Sequence, residues 1–214
     1  MKPVRILIAD DHEVVREGVR KVLESQAGWV VCGEASTGQE AVAKVVELRP
    51  DIVVLDIAMP ELNGLEATRR LRHLVPAKIL ILTVHESEQV VTEALDAGAH
   101  AYVLKADVGR KLVDAIWTLI RDQSFLTERV HALAARGAAP PASATRGGGG
   151  GLTPRQREVL QLLAEGKSNK EVSALLGMTT KTAETHRAQI FAKLDFHSIS
   201  ELVRYAIRNR IIQP

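Results

Sequence analysis

Apolar residues in the first half of the chain fall into short unbroken runs separated by longer amphipathic stretches. Ile6-Leu7-Ile8-Ala9, Ile52-Val53-Val54-Leu55, Ile79-Leu80-Ile81-Leu82 and Tyr102-Val103-Leu104 are too short for helices. Continuous apolar runs rich in β-branched residues predict strands buried on both faces, as in a parallel sheet. Val30-Val31-Cys32-Gly33 supplies a fifth run, with Cys32 expected as a buried thiol. Residues 12–25, 39–48, 65–74, 87–97 and 108–122 read as the intervening helices, and Gly98 is a helix C-terminal signal. Strict alternation of strand and helix predicts a doubly wound five-stranded parallel sheet over residues 4–123, with right-handed crossovers placing helices on both faces.

The pattern then changes. Ser124-Phe125-Leu126-Thr127-Glu128-Arg129 opens a stretch expected to form a short helix to about residue 135. Residues 138–151, with two prolines and five consecutive glycines, cannot bury apolar area and read as a flexible tether spanning roughly 20 Å. Residues 152–214 predict a small all-α unit of four helices. Thr153-Pro154-Arg155-Gln156, Ser168-Asn169-Lys170-Glu171 and Ser198-Ile199-Ser200-Glu201 have the spacing of capping boxes, and Thr179 is placed to cap the third helix. The short second helix, the turn at Gly177-Met178 and the longer third helix together predict a helix-turn-helix. On that third helix Ala183, Ile190 and Leu194 share one face. Lys181, Glu184, Thr185, Ala188 and Ala192 share the opposite one, which is polar, short and suited to a DNA major groove.

Composition narrows the function. The chain is 46% hydrophobic and 25% charged, ordinary for globular domains, and only 3% aromatic, which argues against stacking on single-stranded bases. One cysteine excludes an internal disulfide. No apolar run approaches the length of a membrane span, and the first residues lead directly into a strand, so a soluble, cytoplasmic protein without a membrane partner is expected. The net charge of +2 conceals an asymmetry. Residues 1–125 carry 15 Lys and Arg against 19 Asp and Glu, a net of −4, whereas residues 126–214 carry 13 against 7, a net of +6. The basic half is the one expected to meet a polyanion.

The ends of the predicted strands carry the chemistry. Asp10-Asp11 follows the first strand, Asp56 the third, Thr83 the fourth and Lys105 the fifth. Parallel neighbours would bring these groups to one carboxyl-terminal edge, where open α/β sheets bind ligands. Clustered carboxylates need a cation, and all-oxygen ligation suits Mg²⁺. A carboxylate nucleophile beside a metal, a hydroxyl and an ammonium is equipped to receive a phosphoryl group.

These residues, with Met59-Pro60 and Gly64 after Asp56, resemble the receiver domain of two-component response regulators, which has a flavodoxin-like fold. The resemblance implies that Asp56 is the phosphoacceptor. It also implies that Asp10, Asp11, Asp56 and the backbone carbonyl of Ala58 form the Mg²⁺ site, Asp10 largely through water. Thr83 and Lys105 would bind the phosphoryl group, Tyr102 would be the switch aromatic, and a sensor histidine kinase would be the donor. Residues 152 to about 208, through Leu152-Thr153-Pro154-Arg155-Gln156, Gly166-Lys167-Ser168-Asn169-Lys170-Glu171 and Thr185-His186-Arg187, resemble the LuxR-type DNA-binding domain. Together the two halves resemble the NarL/FixJ class, a phosphorylation-dependent transcription regulator rather than an enzyme. Lys170, Lys181, Thr182, Glu184, Thr185, His186, Arg187 and Ala188 are the expected contacts to double-stranded DNA. Ser198, Leu202 and Tyr205 are the expected pairing residues of a homodimer. Ala183, Glu184 and Asp195-Phe196 depart from the usual LuxR-type pattern. The rival reading is an aspartyl-phosphate phosphatase of the haloacid dehalogenase type. It requires a second Asp two residues after the nucleophile as acid/base, and this position is Ala58.

Overall fold

In the computed structural model, residues 2–126, 151–209 and 211–212 are described. The first part alternates β1 (Val4–Ala9), α1 (Glu13–Glu24), β2 (Trp29–Ala35), α2 (Gly38–Leu48), β3 (Ile52–Leu55), α3 (Gly64–Leu74), β4 (Lys78–Thr83), α4 (Glu88–Ala97), β5 (Ala101–Leu104), a 3₁₀ turn (Lys105–Asp107), α5 (Val108–Ile120) and β6 (Phe125–Leu126). All strand pairs are parallel, in the order β2-β1-β3-β4-β5-β6. Alternate residues of each strand feed two cores. Leu7, Val53, Leu55, Ile79, Ile81 and Tyr102 pack under α2, α3 and α4; Ile6, Ile8, Val54, Leu80, Leu82 and Val103 pack under α1 and α5. Burial on both faces is why these strands lack a polar alternation.

Two expectations are corrected. The sheet has six strands, because Phe125 and Leu126 pair with Ala101 and Tyr102 instead of beginning a helix. Asp122 takes φ 58°, which turns the chain out of α5, and Phe125 and Leu126 then reach opposite cores, as only an extended backbone allows. The rest of that expected helix and nearly all of the glycine-rich tether lie outside the described residues. Cys32 is half-buried in an irregularity of the edge strand β2, where the register with β1 shifts between Ile6 and Leu7. Its Sγ donates to the Ile6 carbonyl at 3.4 Å, and burial pushes the thiol above its ordinary pKa, which suppresses the reactive thiolate.

The C-terminal part comprises α6 (Pro154–Ala164), α7 (Asn169–Leu175), α8 (Thr180–Leu194) and α9 (Ile199–Arg208) around Val159, Leu162, Val172, Ala183, Ile190 and Leu202. Capping boxes open α6 and α7, and Thr179 caps α8. The third expected box is incomplete. Ser198 accepts from the Glu201 amide, but the Glu201 carboxylate takes the amide of His197 at 2.6 Å instead of that of Ser198. Asp195 ends α8 in a left-handed conformation (φ 54°), which Asp tolerates better than most non-glycine residues.

The loop following β3 is packed against backbone on two sides. A Cβ on Gly64 would lie 2.0 Å from the Asp56 carbonyl oxygen, and one on Gly38 would lie 1.8 Å from that of Leu62. Gly64→Ala therefore forces the loop away from β3, and urea denaturation should record a loss of about 1–3 kcal/mol, the usual cost of overpacking. An unchanged midpoint would mean that the loop is free to move.

Candidate functional site

Register decides which side chains meet. Ala9 pairs with Leu55, Leu55 with Ile81, and Ile81 with Tyr102, so the residues just beyond these positions emerge at one edge of the sheet. The Asp56 amide donates to the Ala9 carbonyl at 2.8 Å, extending the ladder one step and setting Asp56 beside Asp10. Both carboxylates are 2% exposed. Lys105 lies between them, with Nζ 2.8 Å from Asp56 Oδ2 and 2.7 Å from Asp10 Oδ2. Asp56 Oδ1 accepts from the Ile57 amide at 2.8 Å, and the buried Asp10 Oδ2 is met by the Lys105 ammonium. Thr83 is fully buried at the end of β4, its hydroxyl oxygen 3.4 Å from the amide nitrogen of His85.

Burial raises the pKa of Asp56, and attraction to Lys105 only partly offsets it. For Lys105 the balance is reversed. Burial pulls the ammonium down, but Asp56 and Asp10 outweigh it and hold the pKa above its ordinary value. The pocket thus has more negative charge than one ammonium satisfies. Asp10, Asp11, His12 and Asp56 each offer an atom within 4.8 Å of the others, a cluster that could hold a metal ion. Three carboxylates, two of them buried and sharing one ammonium, fit a hard divalent cation.

Tyr102 has its ring wholly buried, with its hydroxyl donating to the His85 carbonyl at 2.8 Å. Two contributors were not singled out from sequence. Arg16 donates from Nη1 to the Asp10 carbonyl at 2.7 Å and faces Glu34, bracing the β1–α1 loop. His12 stands 2.7 Å from Asp11 through Nδ1. The only signal for either is position, His12 directly after Asp11 and Arg16 one turn further on.

In the C-terminal part, Lys170, Lys181, Thr182, Glu184, Thr185 and Ala188 are exposed. His186 and Arg187 are half-buried, the guanidinium of Arg187 lying 5.4 Å from the Phe191 ring centroid. Ser198 is the N-cap of α9, and Tyr205 packs edge-on against Phe196 at 5.4 Å. Leu202 is corrected: it is 0% exposed inside its own core, because α9 turns its apolar stripe inward, so its side chain has no surface to offer a second copy. Among the described residues, no helix is long and apolar enough to cross a membrane.

A raised Asp56 pKa means that ionising this carboxyl costs native-state stability once pH exceeds its folded value, and costs nothing below the unfolded value. Without divalent cations, Asp56→Asn should therefore melt higher than the wild type near neutral pH. The gain should vanish as pH falls through the acid range where Asp56 protonates. Equal melting temperatures at neutral pH would show that Lys105 fully compensates the charge.

Residues 6–117 match the family described as the response regulator receiver domain, and residues 151–206 match bacterial regulatory proteins of the luxR family. The chain is 37% identical to the transcriptional regulatory protein LiaR of Bacillus subtilis (strain 168), covering 98% of this chain and 99% of that protein. It is 34% identical to the response regulator protein VraR of Staphylococcus aureus, with 98% and 99% covered. Among solved structures, the complex of the two-component response regulator RcsB with DNA superposes with a TM-score of 0.60 at 25% identity, covering 95% of this chain and 98% of that one.

Proposed function

Because the chain belongs to the two-component response regulators with a LuxR-type DNA-binding domain, we propose that Asp56 is its phosphoacceptor and that α8 carries its DNA-reading face. It is a phosphorylation-dependent, DNA-binding regulator of transcription. The observation that carries the assignment is Lys105 seated between Asp10 and Asp56 at the carboxyl edge of the sheet.

In this reading a sensor histidine kinase presents a phosphohistidine. A carboxylate oxygen of Asp56 attacks phosphorus, the bond to the imidazole nitrogen breaks, and an aspartyl phosphate results. Asp10, Asp11, Asp56 and the Ala58 carbonyl would hold Mg²⁺, which supplies charge neutralisation to the phosphoryl oxygens when bound. Lys105 supplies a further positive charge, and the hydroxyl of Thr83 binds a phosphoryl oxygen after a movement toward it. Tyr102 stands with its ring already buried and its hydroxyl on the His85 carbonyl of the β4–α4 loop. The receiver sheet, extended to Leu126 by β6, is joined to the DNA-binding unit by the intervening segment. On DNA, Lys170 and Lys181 meet phosphates, Thr182, Glu184, Thr185 and Ala188 face the groove, and His186 and Arg187 brace the helix. Tyr205 and the exposed face of α9 pair two copies.

Acetyl phosphate with Mg²⁺ should label the wild-type protein, as intact mass reports. Asp56→Asn or a chelator should reduce labelling to background. Undiminished labelling of Asp56→Asn would overturn the assignment.

Glu184 is exposed where phosphates repel it, so it is positioned either to accept from a cytosine amino group or to read nothing. Glu184→Lys should raise affinity for unrelated DNA and steepen the logarithmic salt dependence by about one unit. It should also move the selected binding motif away from cytosine at one position of each half-site. An unchanged motif from randomised DNA would show that Glu184 does not read sequence.

A further inference from the structure

The loop between Asp56 and α3 is held from outside its own domain. Gln161 of α6 is fully buried, although it belongs to a helix whose apolar core lies elsewhere. Its Oε1 accepts from the Asn63 amide at 2.8 Å, and its Nε2 donates to the Met59 carbonyl at 2.9 Å and to Glu165 Oε1 at 2.8 Å. Glu165 in turn accepts from the Glu61 amide at 3.1 and 3.2 Å. Glu61 has φ 66°, a left-handed conformation unfavourable for glutamate, and the Glu165 contact helps to fix it. Two ion pairs flank these bonds, Arg70 with Glu158 and Arg157 with Glu66. Glu66 and Glu158 are almost wholly buried, and each shares its charge between an arginine of its own helix, Arg69 or Arg155, and one from the other domain.

These contacts reach the mouth of the acidic pocket. Asp11, Ala58, Met59 and Pro60 on one side and Glu165 and Ile212 on the other enclose a cavity of about 300 Å³. The recognition face is not part of the contact, since Lys181, Thr182, Glu184, Thr185 and Ala188 remain exposed.

We propose that the DNA-binding domain latches the phosphoacceptor loop: Gln161 and Glu165 hold residues 59–63 in one conformation, and docking opposes occupation of the Asp56 pocket by cation and phosphoryl group. The device acts on the pocket and leaves the recognition helix uncovered. Two features support it. The residue that would ligate the cation, Ala58, immediately precedes the backbone carbonyl gripped by Gln161, so one short loop serves both events. Glu165 and Ile212 line the same cavity as Asp11 and Ala58, so the docked domain stands at the mouth of the pocket. Because coupling is reciprocal, whatever loosens the latch must tighten binding in the pocket, and filling the pocket must loosen the latch. The proposal rests on the assignment of Asp56 above.

Gln161→Glu is the discriminating variant. It sets a carboxylate against the Met59 carbonyl and against Glu165, yet leaves the α6 core residues untouched. Hydrogen exchange of the full-length protein should show the Glu61 and Asn63 amides protected in the wild type. They should exchange at least about tenfold faster in Gln161→Glu, and in the wild type with Mg²⁺ and beryllofluoride as the phosphoryl mimic. Gln161→Glu should bind beryllofluoride at least about fivefold more tightly, and Glu165→Ala should do the same. Equal exchange of these amides in wild type and variant would overturn the latch. Faster exchange with unchanged beryllofluoride affinity would overturn its coupling to the pocket. If neither protein binds the mimic, the assignment of Asp56 fails and the coupling with it.

Discussion

Two buried carboxylates facing one ammonium set the terms for this molecule. Asp10 and Asp56 stand side by side because β1 and β3 are parallel neighbours in register, and at 2% exposure neither can draw on water. Lys105 bridges them at 2.7 and 2.8 Å, leaving a net negative pocket. Such an arrangement is costly for a resting structure and useful for a receptor of positive charge and phosphoryl groups. The fold meets the cost with two apolar cores, one on each face of the sheet, while the strand ends are left to chemistry.

The constraint propagates through backbone rather than through side chains. Asp56 is fixed by its amide to Ala9 and by the turn in which Gly64 donates to the Ile57 carbonyl at 2.8 Å. That turn is pressed against Gly38 and carries the N-cap of α3, Asn63, whose side chain accepts from the Glu66 amide. Asn63 therefore has two loyalties: its side chain starts a receiver helix and its amide bonds a glutamine of the DNA-binding domain. Few positions in the chain are as tightly determined.

How much of this could be read from sequence follows the range of the interactions. Strands β1, β3, β4 and β5 declared themselves because apolar runs are a local signal, and the caps at Thr153, Ser168 and Thr179 each act within three residues. The carboxylate cluster was legible because a parallel sheet converts sequence position at strand ends into spatial proximity. Strand β6 was not, since two residues between a turn and an unpatterned segment carry no periodicity. Leu202 was misplaced because a helix with one apolar stripe does not state whether that stripe meets its own domain or a second copy. Gln161 gave no sign at all: its partners across the domains are backbone atoms 98 and 102 residues away, and a glutamine on a helix is ordinarily solvated.

The sixth strand gives the connection between the domains a defined origin. Leu126 is paired with Tyr102, so the chain leaves the sheet beside the strand that carries the buried aromatic ring and, two residues on, Leu104 and the turn of Lys105. The tether is therefore rooted on β6, hydrogen-bonded to the strand whose far end leads into the bridging ammonium. A sliding of that strand along its axis displaces the root directly, through main-chain hydrogen bonds. Mechanically, β5 is a pushrod with the pocket at one end and the leash at its side.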